Sequence, residues 1–481
     1  MQRVKFLVLI FVTLFSIGIS IAQDNNAIGS VLSMKQCVDI ALKNNLQVQQ
    51  SDISRQTNGV NFNQAKENLL PYIGASGSQG VSNGRSLNPY TYTYLNQQIG
   101  SGNYGISASL TLFSGLQLQN YIKQTAYAYD ASKLDLEQQK QNITLSVVLA
   151  YLQVLNSQDV LDLSKKQAAV DSKQIERLEI LNKEGALALL SNLSDLKGQY
   201  ANDIVNIATT NNTLETAKIN LFQLLNIPYK RDIQFEHNMP EIGSREPLTD
   251  ADSIYAIALS RLPGIQSSEL KIKSFEKGVE YSRGQYYPTL SLNGGINTNY
   301  SNAATVQIPG ASSFVQSSDY VSYNGSTLNV FKQQQDFTTK NLSFGDQFKN
   351  NRYTSINLTL SVPILNYFRA RNNVKQAKIN LQNAEYNAHS TKMVLQQKVE
   401  QAYQDMLLAI NQLKSYQDAV TAYSESFRTT EIRFNEGVIA SDVYLLAKGK
   451  IDAANINLTI AKYNYIFRSK ILDYYEGKLV W

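Results

Sequence analysis

The chain has 481 residues, 17% of them charged, and a formal net charge of +5 at pH 7, which is too small to favour nucleic-acid binding. It contains one cysteine and two histidines, so an internal disulfide is excluded. The same counts nearly exclude His-based catalytic triads and His/Cys metal sites. We therefore expect a protein that is not an enzyme and that binds no cofactor, metal or nucleic acid.

The N-terminus has the pattern of a secretory signal peptide over residues 1–22. Two basic residues precede an apolar run that ends at about Ile19, and Ser-Ile-Ala at 20–22 is a small-x-small cleavage site. A retained anchor helix is the alternative, but the run is short for a bilayer span. No later segment approaches 18 consecutive apolar residues, so any membrane insertion would be made by strands.

The rest of the chain reads as two copies of one unit, residues 31–227 and 248–477, joined by a linker at 228–247. At a spacing of 252 residues, Ser109 and many later residues match their counterparts in the second copy. Upstream the spacing is 217 residues, because the second copy has a longer polar stretch, which we expect to be a loop. Ordered matches over a whole half-chain indicate an internal duplication.

Each copy predicts the same order of elements: a helix, a β-hairpin and a long helical hairpin. The opening helix ends before a proline in both copies, since the residue before proline disfavours the helical region. The predicted ranges are 32–69, 71–113 and 117–226 in the first copy, and 250–285, 288–365 and 368–475 in the second.

The second strand of each β-hairpin alternates apolar with polar residues, in ISASLTLFSG at 106–115 and LTLSVPILNY at 358–367. A transmembrane β-barrel has this pattern, and so does a soluble sheet with one buried face. The export signal, the paired hairpins and tyrosines near the strand ends favour the membrane. The residues expected to face lipid are Ile106, Ala108, Leu110, Leu112, Leu358, Leu360, Val362 and Ile364.

Four strands are too few to close a barrel, and an open sheet edge is not tolerated in hydrocarbon. If the strands lie in a membrane, the protein must therefore associate with itself. Three copies with twelve strands is the simplest count that leaves a pore, although the sequence leaves two or four copies open.

The helical hairpins contain no proline, so residues 117–184 can form one helix about 100 Å long. Within it, Val147, Val154, Leu161 and Ala168 recur every seven residues, beside a second apolar stripe. Heptad spacing predicts left-handed coiled-coil packing. Two stripes predict helical neighbours on both sides, whereas an ordinary two-stranded coiled coil needs one seam.

The duplicated unit, the strand-to-helix junctions SLTLFSG and LSVPILN, and the helix ends Glu184-Gly185 and Glu436-Gly437 resemble the outer-membrane efflux protein family, which is TolC-like. The resemblance covers nearly the whole chain after the signal peptide. It implies a mixed α and β fold and a homotrimer, in which a twelve-stranded outer-membrane β-barrel continues into a twelve-helix α-barrel. The location implied is the outer membrane of a Gram-negative bacterium, extending into the periplasm.

The family resemblance also implies a function without chemistry. The trimer would be an exit duct for an efflux pump or for type I protein secretion, joined to an inner-membrane transporter through a periplasmic adaptor. The adaptor would dock at the hairpin tips, at Glu184, Gly185, Glu436 and Gly437. A periplasmic coiled-coil structural protein is the alternative from a different class, and it does not explain the duplicated β-hairpins.

The resemblance further implies a gate where the hairpins narrow the duct. Asp442 matches, within one position, an aspartate that faces the lumen in relatives, and three copies would favour cations there. Asn192 and Asp195 occupy the comparable place in the first copy. Asp442 has an alternative predicted role, in which it and Ser441 together cap the N-terminus of the helix that starts nearby.

Three positions near the tip depart from the family pattern. Relatives have a second acidic residue, a tyrosine and an arginine where this chain has Leu445, Phe434 and Ile439. These departures favour a gate held by apolar packing more than by ion pairs.

Overall fold

The structure is a computed structural model that describes residues 31–87, 92–96, 98–184, 190–237 and 250–478. The predicted signal peptide, much of the linker and the tip residue Gly185 lie outside these residues.

The first copy contains β1 (Val31–Leu32), α1 (Met34–Asn44), α2 (Leu46–Glu67), β2 (Tyr72–Ser82), β3 (Arg85–Leu87), β4 (Tyr94–Asn96), β5 (Ile99–Ser114), α3 (Gln117–Lys183) and α4 (Leu190–Leu225). After β6 (Gln234–Phe235), the second copy contains α5 (Ala251–Arg261), α6 (Pro263–Gly284), β7 (Thr289–Ser301), β8 (Thr305–Tyr323), β9 (Ser326–Asn341), α7 (Phe344–Asn350), β10 (Tyr353–Ser361), α8 (Arg369–Asn435) and α9 (Ser441–Tyr475). The long helices α3 and α8 have 67 residues each.

The opening helix of each copy is two helices instead of the one expected. The interruptions fall at matched positions, Asn45 and Leu262, and both residues have extended backbone with ψ of 125°. The side chain of Asn45 accepts from the Gln47 amide at 2.9 Å and donates to the Leu224 carbonyl at 2.9 Å. In the second copy Pro263 is the first residue of α6, where its missing N–H costs no helical hydrogen bond.

Packing divides the chain into two compact units that cut across the two copies. The first, which we call the tip unit, comprises residues 1–49, 139–258 and 397–481. The second, the sheet unit, comprises residues 50–138 and 259–396. Each unit thus combines corresponding parts of both copies, as expected when duplicated elements pack against each other.

The sheet unit contains a four-stranded antiparallel sheet in the order β10-β7-β5-β2. Its register aligns Leu110, Leu292 and Leu358 in one row. Because side chains alternate along a strand, these leucines share a face with Ile106 and Ala108, and the serines and asparagines lie on the opposite face. The apolar face is largely exposed within the chain; Ile356, for example, is 76% exposed.

Three of the residues expected to alternate in these strands do not follow the pattern: Leu112 lies at a bulge within β5, and two others lie beyond the end of β10. A bulge between Thr111 and Phe113 shifts the register, so that Phe113 instead of Leu112 pairs with Leu290. The strand β10 ends at Ser361, before Pro363, which cannot donate to a ladder. Val362 and Ile364 therefore follow the strand and do not belong to it.

The polar stretch of the second copy is ordered secondary structure instead of the expected loop. The strands β8 and β9 form a long antiparallel hairpin. The short helix α7 then packs on the sheet, where the Phe344 ring lies 5.2 Å from Tyr300 and 5.9 Å from Tyr104. Buried Gln347 bonds both the N–H and the C=O of Ser301, so helix and sheet are joined by polar and aromatic contacts.

The core of the tip unit follows the predicted heptad stripe. Val147, Val154, Leu161 and Ala168 are all buried. Burial of every seventh residue is what coiled-coil packing of α3 requires. Among the described residues, no helix combines the length and the apolar character needed to cross a bilayer.

Candidate functional site

The end of α8 is built by a glycine with a left-handed backbone. Gly437 has a φ of +72°, and its N–H bonds the Phe434 carbonyl at 3.0 Å, while the Val438 N–H bonds the Arg433 carbonyl at 2.9 Å. These two bonds define a Schellman motif, which satisfies carbonyls that the helix end leaves unpaired. The exposed Glu436 immediately precedes this glycine.

The matching turn of the first copy is described only as far as Glu184. Its N–H bonds the Ile180 carbonyl at 3.2 Å, and its side chain is exposed. The predicted docking residue Gly185 lies outside the described residues.

The structure brings Asn192 and Asp195 of the first copy to the start of α9 in the second. The Ser441 N–H donates to Asn192 Oδ1 at 3.2 Å, and Ser441 Oγ donates to Asp195 Oδ2 at 2.7 Å. Asn192, from the helical hairpin of the first copy, therefore caps the start of α9. The two copies meet through these hydrogen bonds at the tip.

The alternative role for Asp442, capping of its own helix together with Ser441, is wrong. The N-cap residue is Ala440, which has no side chain able to cap, and Ser441 is already the first helical residue. Asp442 lies exposed in the first turn, where a carboxylate is stabilised by the partial positive charge of the helix N-terminus.

A second set of hydrogen bonds joins the copies at the end of α8. Arg177 Nη2 donates to the Asn435 carbonyl at 2.8 Å, and Gln174 Nε2 donates to Asn435 Oδ1 at 2.9 Å. Both donors are on α3. The last residue of α8 is thus held by two side chains of the first copy.

Apolar packing lies between these two sets of hydrogen bonds. Leu178, Leu193, Leu196, Phe434 and Tyr444 form one buried cluster. The Phe434 and Tyr444 rings are stacked with their centroids 4.5 Å apart. Phe434 is the residue that departs from the family's tyrosine, and here it belongs to the core of the tip.

Four charged side chains are clustered beneath the tip, on α3, α4 and α9. Lys448 Nζ lies 2.6 Å from Asp452 Oδ2 and 3.1 Å from Asp171 Oδ2. Asp203 Oδ1 accepts from Gln199 Nε2 at 2.9 Å. Asp171 is fully buried, and two of the three carboxylates contact the one lysine.

The pKa of Asp171 is raised to about 7, first by burial and then by its hydrogen bond with Asp203, against the opposing charge of Lys448. Burial also raises the pKa of Asp452. For Lys448, burial acts to lower the pKa, but the hydrogen bond and charge of Asp452 and the charge of Asp171 outweigh it and raise the pKa. A proton held between Asp171 and Asp203 removes one negative charge from the cluster.

Sequence reasoning missed this charged cluster. A signal was present, because Asp171 follows Ala168 by three residues and so places a charged residue at the second position of a heptad seam, where the earlier heptads have Ala150, Ser157 and Ser164. Lys448 and Asp452, spaced by four on α9, form the other half.

One of the two histidines, His237, belongs to a hydrogen-bonded trio. His237 Nε2 lies 2.7 Å from Asp159 Oδ1, and Tyr463 donates to the other oxygen of Asp159 at 2.7 Å. Within the described ranges, no three His, Cys, Asp or Glu residues are grouped to hold a metal ion.

The chain is similar to known proteins over most of its length. The profile of the family described as outer membrane efflux protein matches residues 37–226 and 254–473. The outer membrane protein TolC of Escherichia coli (strain K12) is 22% identical over 456 residues, covering 94% of this chain and 83% of that protein. The toxin and drug export protein A of Aggregatibacter actinomycetemcomitans is 22% identical over 462 residues, covering 92% and 87%.

Solved structures show the same fold. The Campylobacter jejuni CmeC outer membrane channel has a TM-score of 0.71 at 16% identity, covering 92% of this chain and 85% of that chain. A crystal structure of CusC has a TM-score of 0.71 at 16% identity, covering 93% and 92%. The predicted mixed α and β fold of this channel type is confirmed.

Proposed function

The chain belongs to the outer membrane efflux protein family, and on that premise we propose that it forms the exit duct of a tripartite efflux pump. The membership confirms the predicted family and outer-membrane location. The duct would carry small molecules across the periplasm and the outer membrane, and the chain itself would carry out no chemistry.

The observation that carries this proposal is the two-faced sheet of the sheet unit. One face is apolar and exposed, with Ile106, Ile356 and Leu358 each more than half exposed, and the other is polar. Contact of such an apolar face with lipid costs no free energy, whereas contact with water is unfavourable. Within the part of the chain that the structure describes, the edge strands β2 and β10 have no further partner in the sheet, so a closed barrel needs other copies. Three copies give twelve strands.

The tip unit supplies the proposed gate. Asp442 would form a ring of three like charges facing the lumen, and Asn192 and Asp195 would hold it in place through Ser441. A periplasmic adaptor would dock at Glu184, Gly185, Glu436 and Gly437 and connect the duct to an inner-membrane transporter. Replacing Asp442 by Asn should weaken block of the channel by a trivalent cation such as lanthanum, because the ring loses its charge.

A second candidate is the exit duct of a type I protein secretion system. The Aggregatibacter relative is named for export of both toxin and drugs. This name supports protein secretion as the second candidate. Deletion of the gene separates the two. Loss of an efflux duct should lower the inhibitory concentration of several unrelated drugs, while loss of a secretion duct should remove particular proteins from the culture medium. If neither changes and the chain is recovered as a soluble periplasmic monomer, the duct proposal is wrong.

A further inference from the structure

The polar face of the four-stranded sheet carries no charged side chain over its described length. It extends from the row Gly80, Ser101 and Ser301 to the row Ser114, Thr289 and Ser361. Every residue between these rows on that face is Ser, Thr, Asn, Gly or Tyr. Charged residues make up 17% of the whole chain, but none of these four strands contains one, so their exclusion is a property of the sheet and not of the overall composition.

A hollow of about 370 Å³ lies on this face, in the size range of small-molecule sites. Its lining offers hydroxyl and amide groups, including Tyr72, Ser107, Ser109, Asn293, Asn297 and Asn357. These groups donate and accept hydrogen bonds without carrying charge.

Two asparagines of β7 line the hollow and reach towards the neighbouring strands. Asn293 accepts from Ser109 Oγ at 2.9 Å and donates to Thr359 Oγ1 at 3.4 Å, so both neighbours orient it. The amide of Asn297 covers Gly105, where its Oδ1 lies 2.1 Å from the place a Cβ would occupy. A larger residue at 105 would require the Asn297 amide to shift. None of the hydrogen bonds among the described residues involves the Asn297 side chain, so its amide is available to bond a solute.

We propose that this polar face is the solute-contact surface of the duct, that it does not discriminate between solutes by their charge, and that Asn293 and Asn297 contact solutes there through hydrogen bonds. The inference rests on the proposed function, since it requires the polar face to line the pore. A lumen bounded by a low-dielectric wall is sensitive to each fixed charge, so a wall without charges has no preference between cations and anions. Neutral, cationic and anionic polar compounds should pass the strands alike, and ion preference should arise at Asp442.

The test is the reversal potential of single channels in planar bilayers under a potassium chloride gradient. With Asp442→Asn the channel should be almost non-selective. Adding Asn297→Asp to that variant should raise the potassium-to-chloride permeability ratio roughly threefold, because three carboxylates then face the pore. Asn297→Asp is preferred over Asn293→Asp, because it breaks none of the hydrogen bonds given above. Asn324→Asp, the same change in the exposed turn between β8 and β9, is the control and should leave the ratio unchanged.

Two results would overturn the inference while leaving the duct intact. One is strong ion selectivity that persists in Asp442→Asn. The other is a conducting Asn297→Asp channel with an unaltered ratio. A purified oligomer that never conducts would instead refute the proposed function, and with it the role of this face.

Discussion

Asp171 couples the packing of three helices to pH. Its carboxyl is fully buried beside Asp203 of α4 and Lys448 and Asp452 of α9. The folded protein therefore holds a proton at Asp171 up to a pH of about 7, whereas an unfolded aspartate loses it near pH 4. The folded state binds more protons than the unfolded state between these two values, so its stability falls as the pH rises through that window.

Replacing Asp171 by Asn should remove this dependence, because the amide is neutral at every pH. For one proton the slope is about 1.4 kcal/mol per pH unit. Thermal unfolding of the detergent-solubilised protein at pH 5 and at pH 8 measures it. The wild type should lose more stability towards pH 8 than Asp171→Asn does. Asp418→Asn, an exposed change on α8, should keep the wild-type dependence. Equal slopes in all three proteins would show that Asp171 is ionised throughout.

The stacked rings at the tip give a pair of opposite expectations. Phe434→Ala removes a buried ring from the cluster and should cost about 3 kcal/mol of unfolding free energy. Tyr444→Phe should be neutral or stabilising, since the Tyr444 hydroxyl is buried without a partner among the described residues. Chemical denaturation followed by circular dichroism compares them. A larger loss for Tyr444→Phe than for Phe434→Ala would contradict the packing described here.

Several of the secondary-structure elements end at residues that the sequence itself marks as helix or strand ends. Proline after the opening helices, heptads in α3 and glycine after α8 predicted the order of elements. The break at Asn45 was not predictable, because it depends on the carbonyl of Leu224, far along the chain. At the β8–β9 hairpin the sequence predicts a loop, because these strands are rich in Ser and Gln and have no regular apolar alternation.

Two glycines that both face open space should respond to alanine with opposite signs. Gly437 has a left-handed backbone, so Gly437→Ala should destabilise the tip by about 1 kcal/mol. Gly198 is inside α4, so Gly198→Ala should stabilise it by about 0.5–1 kcal/mol. Melting temperatures of the two variants, measured beside the wild type, check the signs. A stabilising Gly437→Ala would mean that α8 ends without the Schellman motif.

The duplication explains how the whole molecule is assembled, since each packed unit takes corresponding elements from both copies. The copies and their element order were visible in the sequence as matched residues at fixed spacing. The contacts between copies were not, because Ser441 with Asn192, and Asn435 with Arg177, are about 250 residues apart and follow no local pattern. The resemblance identified Asp442, and the fold was needed to find Asp171 and the uncharged sheet face.

The number of chains in the outer-membrane assembly tests the central claim most directly. Four strands with two open edges have to be completed by other copies if they lie in lipid. Native mass spectrometry of the protein extracted from outer membranes in detergent should give the mass of three chains. A monomer that stays folded and dispersed in the same detergent would contradict the account, because its sheet would then need no closure.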